Sequence, residues 1–84
     1  SMILAIRGDF TMIKGLSTLD IGDTGKVKEI KAGREETKRL YEMGLNTGAT
    51  LKVIKNDRGP VIVCLAGNKV ALGRGLANKI MLQI

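Results

Sequence analysis

Arg39-Leu40-Tyr41-Glu42-Met43-Gly44-Leu45-Asn46-Thr47-Gly48 reads as a helix that ends on one glycine and a turn that closes on the next. With Gly44 just past the helix, Leu40 lies three positions inside its end and Leu45 immediately outside it. This is the spacing of a Schellman cap, in which glycine takes the left-handed conformation without a Cβ penalty and flanking apolar residues meet across the helix end. The helix is expected from Arg34 to Met43. Glu35 and Glu36 stand in its first turn and Lys38 and Arg39 toward its last, the order the helix dipole favours, and Glu35 with Arg39 is an i,i+4 pair in the better direction. Its apolar stripe, Leu40 and Met43, is too narrow to hold so short a helix alone, so it has to pack on a sheet.

Outward from this helix the chain reads as strand and turn. Upstream, Gly22-Asp23-Thr24-Gly25 is a turn feeding Lys26-Val27-Lys28-Glu29-Ile30-Lys31, whose alternation is clean until Ile30 breaks the parity; a bulge or strand end near Glu29 restores it. Downstream, Asn46-Thr47-Gly48 is a turn before Ala49 to Lys55, where Leu51 and Val53 share one face and Lys52 takes the other. Asn56 to Pro60 is a loop of hairpin length, and Val61 to Leu65 returns as a strand apolar on both faces. Gly67-Asn68 has the glycine-first order of a type II′ turn leading into Lys69 to Leu72. Gly73-Arg74-Gly75 breaks that strand, Leu76-Ala77 is a short turn, and Ile80, Leu82 and Ile84 alternate as the last strand.

The expected fold is therefore mostly β: a small SH3-like barrel of about five strands with one short helix inserted after the first, closure serving to remove open edges. The domain is expected over 16–84. Residues 1–15 are expected as an N-terminal extension, irregular or a short strand, with no clean period, whose apolar residues from Met2 to Ile13 either cover the barrel, pair weakly with another copy or lie on a partner.

Composition narrows the chemistry. The chain has 84 residues, 44% of them apolar, but only two aromatics, Phe10 and Tyr41, so the core has to be aliphatic. One domain of this size buries roughly 60 to 65% of its unfolded surface. Cys64 is the lone cysteine, set in an apolar run, and is expected as a small buried hydrophobe. There is no histidine, which rules out Ser-His and Cys-His nucleophilic pairs and removes the usual zinc and iron ligands. No enzyme activity, cofactor or private metal site is expected. The glycine turns around Asp23 and Arg74 lack the glycine and lysine spacing of a phosphate-binding loop. Met2 to Ile6 is too short to span a bilayer, and a cytoplasmic location is expected.

A net charge of +6 favours an acidic partner, either nucleic acid, an anionic membrane surface or an acidic protein. Lys26, Lys28, Lys31, Lys52 and Lys55 are placed to line an outer face, but no aromatic residue lies among them to stack bases, which disfavours nucleic acid. A partner-binding surface is expected at the helix end, with Arg39, Tyr41, Met43 and Leu45 as its candidates. Capping explains Leu40, Gly44 and Leu45, whereas Arg39, Tyr41 and Met43 remain for recognition. Met43 and Leu45 fit either the core or an exposed apolar site. Gly22, Gly25, Gly48 and Gly67 are expected as structural turn residues.

Leu16, Leu19, Gly22, Gly25 and Val27, then Arg39-Leu40, Met43-Gly44-Leu45 and Gly48, then Gly59-Pro60-Val61, Gly67, Ala71-Leu72, Ala77 and Ile80 resemble the pattern of the ferrous iron transport protein A (FeoA) family. The resemblance covers Leu16 to Ile84. Two features depart from it: the extra residues from Met2 to Gly15, and Gly73 where a basic residue commonly follows the alanine-leucine pair, Arg74 coming one position later. The resemblance implies an SH3-like barrel acting as a noncatalytic accessory of the FeoB membrane permease, whose cytoplasmic part hydrolyses GTP. No small-molecule substrate is implied, and recruitment to the inner face of the membrane is. It also implies a regulator-type alternative, since the same barrel occurs in metal-dependent transcriptional repressors.

Overall fold

Alternating aliphatic residues build the sheet, and their parity decides which way each strand faces. A computed structural model describes residues 12–84. The elements in order are β1 (Ile13–Gly15), a 3₁₀ turn (Leu16–Thr18), β2 (Thr24–Ile30), α1 (Arg34–Glu42), β3 (Thr50–Lys55), β4 (Val61–Leu65), β5 (Asn68–Leu72), α2 (Arg74–Ala77) and β6 (Ile80–Gln83). All strand pairs are antiparallel, in the order β1-β6-β2-β3-β4-β5. This is the expected mostly-β, SH3-like architecture, with six strands among the described residues where about five were expected.

The sixth strand is β1, which pairs Lys14 with Leu82 and so takes into the sheet residues that a boundary at Leu16 leaves outside. Nothing within β1 marks it as paired, because its partner is supplied by the far end of the chain. The expected association through Met2 to Ile13 lies outside the described residues apart from Met12 and Ile13, both exposed.

β2 is the strand that bends the sheet. Its first half pairs with β3, its second half with β6, and Lys26 sits opposite both Thr50 and Gln83. Between Val27 and Glu29 the register slips by one, so Lys28 is the bulged residue that lets Ile30 return to the inner face. A second slip between Val53 and Lys55 bends β3 in the same way.

Gly25 is not a turn residue but the second residue of β2, buried against Leu82. A Cβ there would stand 3.1 Å from the Leu82 Cβ and 3.1 Å from the Ile84 Cδ1, so the glycine is required by close approach. The β4–β5 hairpin also differs from expectation: its two-residue loop is Ala66-Gly67, with φ of 51° and 81°. Positive φ at both positions is the type I′ geometry, which matches the twist of the strands. This register sets Val61 opposite Leu72 and Val63 opposite Val70, whereas a loop at Gly67-Asn68 would leave Val61 facing Arg74.

The core is aliphatic, built on Leu16, Val27, Leu40, Leu45, Val53 and Leu82 among others, and among the described residues no charged or polar side chain is buried. Cys64 is half-buried rather than buried, because Val63 and Leu65 take the inner face of β4 and parity turns Ile62 and Cys64 outward. Arg74 and Leu76-Ala77, expected as a break and a turn, form the single-turn helix α2.

Arg74 also anchors the β3–β4 loop. Its Nη2 donates to the Asn56 Oδ1 at 2.8 Å and to the Asp57 carbonyl at 3.0 Å, and its Nε donates to the Gly59 carbonyl at 3.2 Å. Asn56 passes the tie on, its Nδ2 donating to the carbonyls of Ser17 at 2.9 Å and Leu19 at 2.6 Å. A hydrogen bond from Ser17 to Asn78 closes the other end of α2 on the same turn.

Candidate functional site

The cap on α1 decides which of its residues face solvent. Gly44, with φ of 92°, donates to the Tyr41 carbonyl at 3.0 Å, and Leu45 donates to the Leu40 carbonyl at 2.9 Å. These are the two bonds of a Schellman motif, and Leu40 and Leu45 meet inside. Leu45 is 0% exposed, so among the four expected partner-binding residues it belongs to the core. Folding Leu45 inward leaves Met43, the C-cap residue, 43% exposed at the helix end.

Met43 stands between two depressions. On one side is a slot of about 360 Å³ between α1 and the β5–α2 connection. Glu36, Arg39, Leu40 and Met43 reach it from one stripe of the helix, the i, i+3, i+4 and i+7 positions that share a face. Leu72 and Leu40 form its apolar base and the half-buried Leu76 its far wall. On the other side is a shallower depression of about 530 Å³ shared with Leu65, Ala66 and Asn68 at the β4–β5 turn. Met43 is the one residue common to both.

The charges on the rim are unequal in their engagement. Glu36 pairs with Lys79 at 3.3 Å, the only ion pair among the described residues, so the expected Glu35–Arg39 pair is not formed. Arg39 is exposed at the slot without a carboxylate partner among the described residues. Tyr41 is separated from this group: it lines neither depression, and its hydroxyl lies 3.2 Å from the Thr47 Oγ1. The structure therefore joins Arg39 and Met43, turns Tyr41 to the Asn46–Gly48 side and buries Leu45.

Elsewhere, the lysines fall into a row. Thr24 opposes Lys52, Lys52 opposes Cys64 and Cys64 opposes Lys69, while Lys26 lies one pair along on β2, so Lys26, Lys52 and Lys69 share the outer face of the sheet. Among the described residues no three His, Cys, Asp or Glu side chains come together. Asp23 serves its own turn, its Oδ2 accepting from the Asp20 amide at 2.8 Å. No helix among the described residues is long and apolar enough to cross a membrane.

This fold carries a family pattern from its first strand to its last residue: residues 14–84 match the FeoA domain. The chain belongs to the FeoA domain family. A Methanocaldococcus jannaschii protein that carries the name Fe(2+) transport protein A is 50% identical over 62 residues, which cover 74% of this chain and 76% of that protein. Among solved structures, an iron uptake regulatory protein named FeoA superposes with a TM-score of 0.81 at 36% identity, covering 87% of this FeoA domain chain and all of the other. A manganese-dependent transcriptional repressor has the same fold over 42% of its own length, with a TM-score of 0.79, 24% identity and 87% of this chain covered. In the FeoA domain described here, sequence reasoning missed the Arg74–Asn56 tie and the slot. Their partners are separated by 18 residues or more, and only the i, i+3, i+4, i+7 spacing from Glu36 to Met43 hinted at a shared face.

Proposed function

We propose that this FeoA domain is a noncatalytic, cytoplasmic accessory of ferrous iron uptake that binds the GTPase-containing cytoplasmic part of a FeoB-type permease and modulates transport. The observation that carries the reading is Met43, an exposed apolar side chain raised between two depressions in a domain of this family. Burying such a side chain against a partner contributes about 1.5 to 3 kcal/mol. Arg39 beside it supplies a planar fork suited to a carboxylate on the partner. In this reading GTP chemistry belongs to the permease, and the domain acts by what it holds in place.

The reading is tested by titrating the protein against the permease's cytoplasmic part, and against the full-length permease, without nucleotide and with GDP or a GTP analogue. Saturable binding in at least one state is expected; no binding in any state removes it. The Lys26, Lys52 and Lys69 row favours a second reading, a basic barrel that meets nucleic acid or works as a regulator domain. That reading requires binding to DNA or RNA at low salt that falls steeply as salt rises. The same row also suits recruitment to the anionic inner face of the membrane, beside the permease.

A further inference from the structure

The slot beside Met43 has one boundary that side chains do not make. β5 is the last strand of the sheet, with β4 on one side and no strand on the other among the described residues. Its hairpin with β4 determines which backbone groups are already used. Leu65 and Asn68 flank the two-residue loop and close it as a hydrogen-bonded pair, so bonded pairs recur at Val63 with Val70 and at Val61 with Leu72. Lys69 and Ala71, in between, turn their N–H and C=O groups along the opposite edge. Both residues are exposed, and outside the sheet neither backbone has a partner among the described residues. Ala71 also lines the slot, sharing it with Arg39, Leu40 and Met43 of α1.

An unpaired strand edge beside an apolar slot selects the backbone conformation of what enters. A helix satisfies its own N–H and C=O groups and would leave the edge unpaired; an extended chain adds as a further strand, its main chain giving affinity and its alternate side chains specificity. Resting on the function proposed above, we infer that the β5 edge and α1 together receive an extended segment of the permease's cytoplasmic part. The segment pairs its backbone with Lys69 and Ala71, seats an apolar side chain on Leu40, Leu72 and Leu76, and meets Arg39 with a carboxylate.

Amide hydrogen exchange of the protein, free and in complex with the permease's cytoplasmic part, tests the inference. The Lys69 and Ala71 amides are expected to slow by about tenfold or more on binding, while Val70 and Leu72, already bonded to β4, change less. Ala71→Pro removes an edge donor where an edge strand tolerates proline, and is expected to weaken binding by about tenfold. If that variant does not fold, the exchange measurement alone decides. Binding that is lost in Met43→Asp but leaves Lys69 and Ala71 exchange unchanged in the wild-type complex overturns strand addition and keeps the Met43 site. Absence of binding in every nucleotide state overturns both.

Discussion

The amide of Leu45 donates to the carbonyl of Leu40 at 2.9 Å, and both side chains are buried while Met43 between them stays in solvent. One local motif thus ends the helix, contributes two leucines to the core and presents the residue on which the proposed interface is centred. The glycine that makes this possible is held twice, by its φ of 92° and by the Leu65 Cδ2, 3.2 Å from where a Cβ would stand. Gly44→Ala is expected to destabilise the fold by about 2 kcal/mol, from left-handed strain plus crowding. Gly48→Ala, with φ of 96° and open space around it, should cost only the strain, about 1 kcal/mol. Urea unfolding of the two variants checks the difference.

Gly25 yields a prediction with a different cause. Its backbone is extended strand, so alanine brings no conformational strain, yet the new methyl would meet Leu82 and Ile84 at 3.1 Å. Gly25→Ala is expected to lose about 1 to 3 kcal/mol through overpacking. For a domain of this size that is a fall in Tm of about 4 to 8 °C per kcal/mol, readable by thermal circular dichroism.

Ala66 runs in the opposite direction. A non-glycine residue at φ of 51° in the first position of a type I′ loop is strained where asparagine or glycine is preferred. Ala66→Gly and Ala66→Asn are each expected to raise stability by about 0.5 to 1 kcal/mol, seen as a higher urea midpoint with an unchanged slope.

Arg74 and Asn56 should behave as one unit. Asn56→Ala leaves the carbonyls of Ser17 and Leu19 and the Arg74 guanidinium short of partners, at a cost of about 1.5 to 3 kcal/mol. A double-mutant cycle with Arg74→Ala is expected to show a coupling of about 1 kcal/mol, since either substitution alone already breaks the tie. Additive losses would mean that the two residues act separately.

How much of this was legible in the sequence follows the distance over which each feature is decided. The α1 cap was readable because Leu40, Gly44 and Leu45 lie within six residues and carry their own stereochemistry. The bulge at Lys28 was readable from the broken parity at Ile30. The β4–β5 pairing was readable too, but not its loop, because a loop at Gly67-Asn68 keeps every side chain on the same face and only the pairing of Val61 with Leu72 tells the two apart. Gly25 looked like a turn residue beside Gly22 and Asp23; its real constraint, Leu82, is far along the chain. A short strand was an open reading of the extension, but the pairing of β1 with β6 and the Arg74–Asn56 tie were invisible for the same reason. At the candidate site, the helix face from Arg39 to Met43 was legible and the cap already offered the core as one of two places for Leu45, whereas the turning away of Tyr41 was decided by Thr47.

The most direct test of the central claim compares two exposed apolar residues in one binding assay against the permease's cytoplasmic part. Met43 is 43% exposed beside the slot, and Ile21 is 65% exposed on a turn that lines neither depression. Isothermal titration of Met43→Asp is predicted to show affinity weakened by at least about tenfold, a loss of about 1.4 kcal/mol or more, with Ile21→Asp close to wild type. Equal affinity in wild type and Met43→Asp would contradict the account.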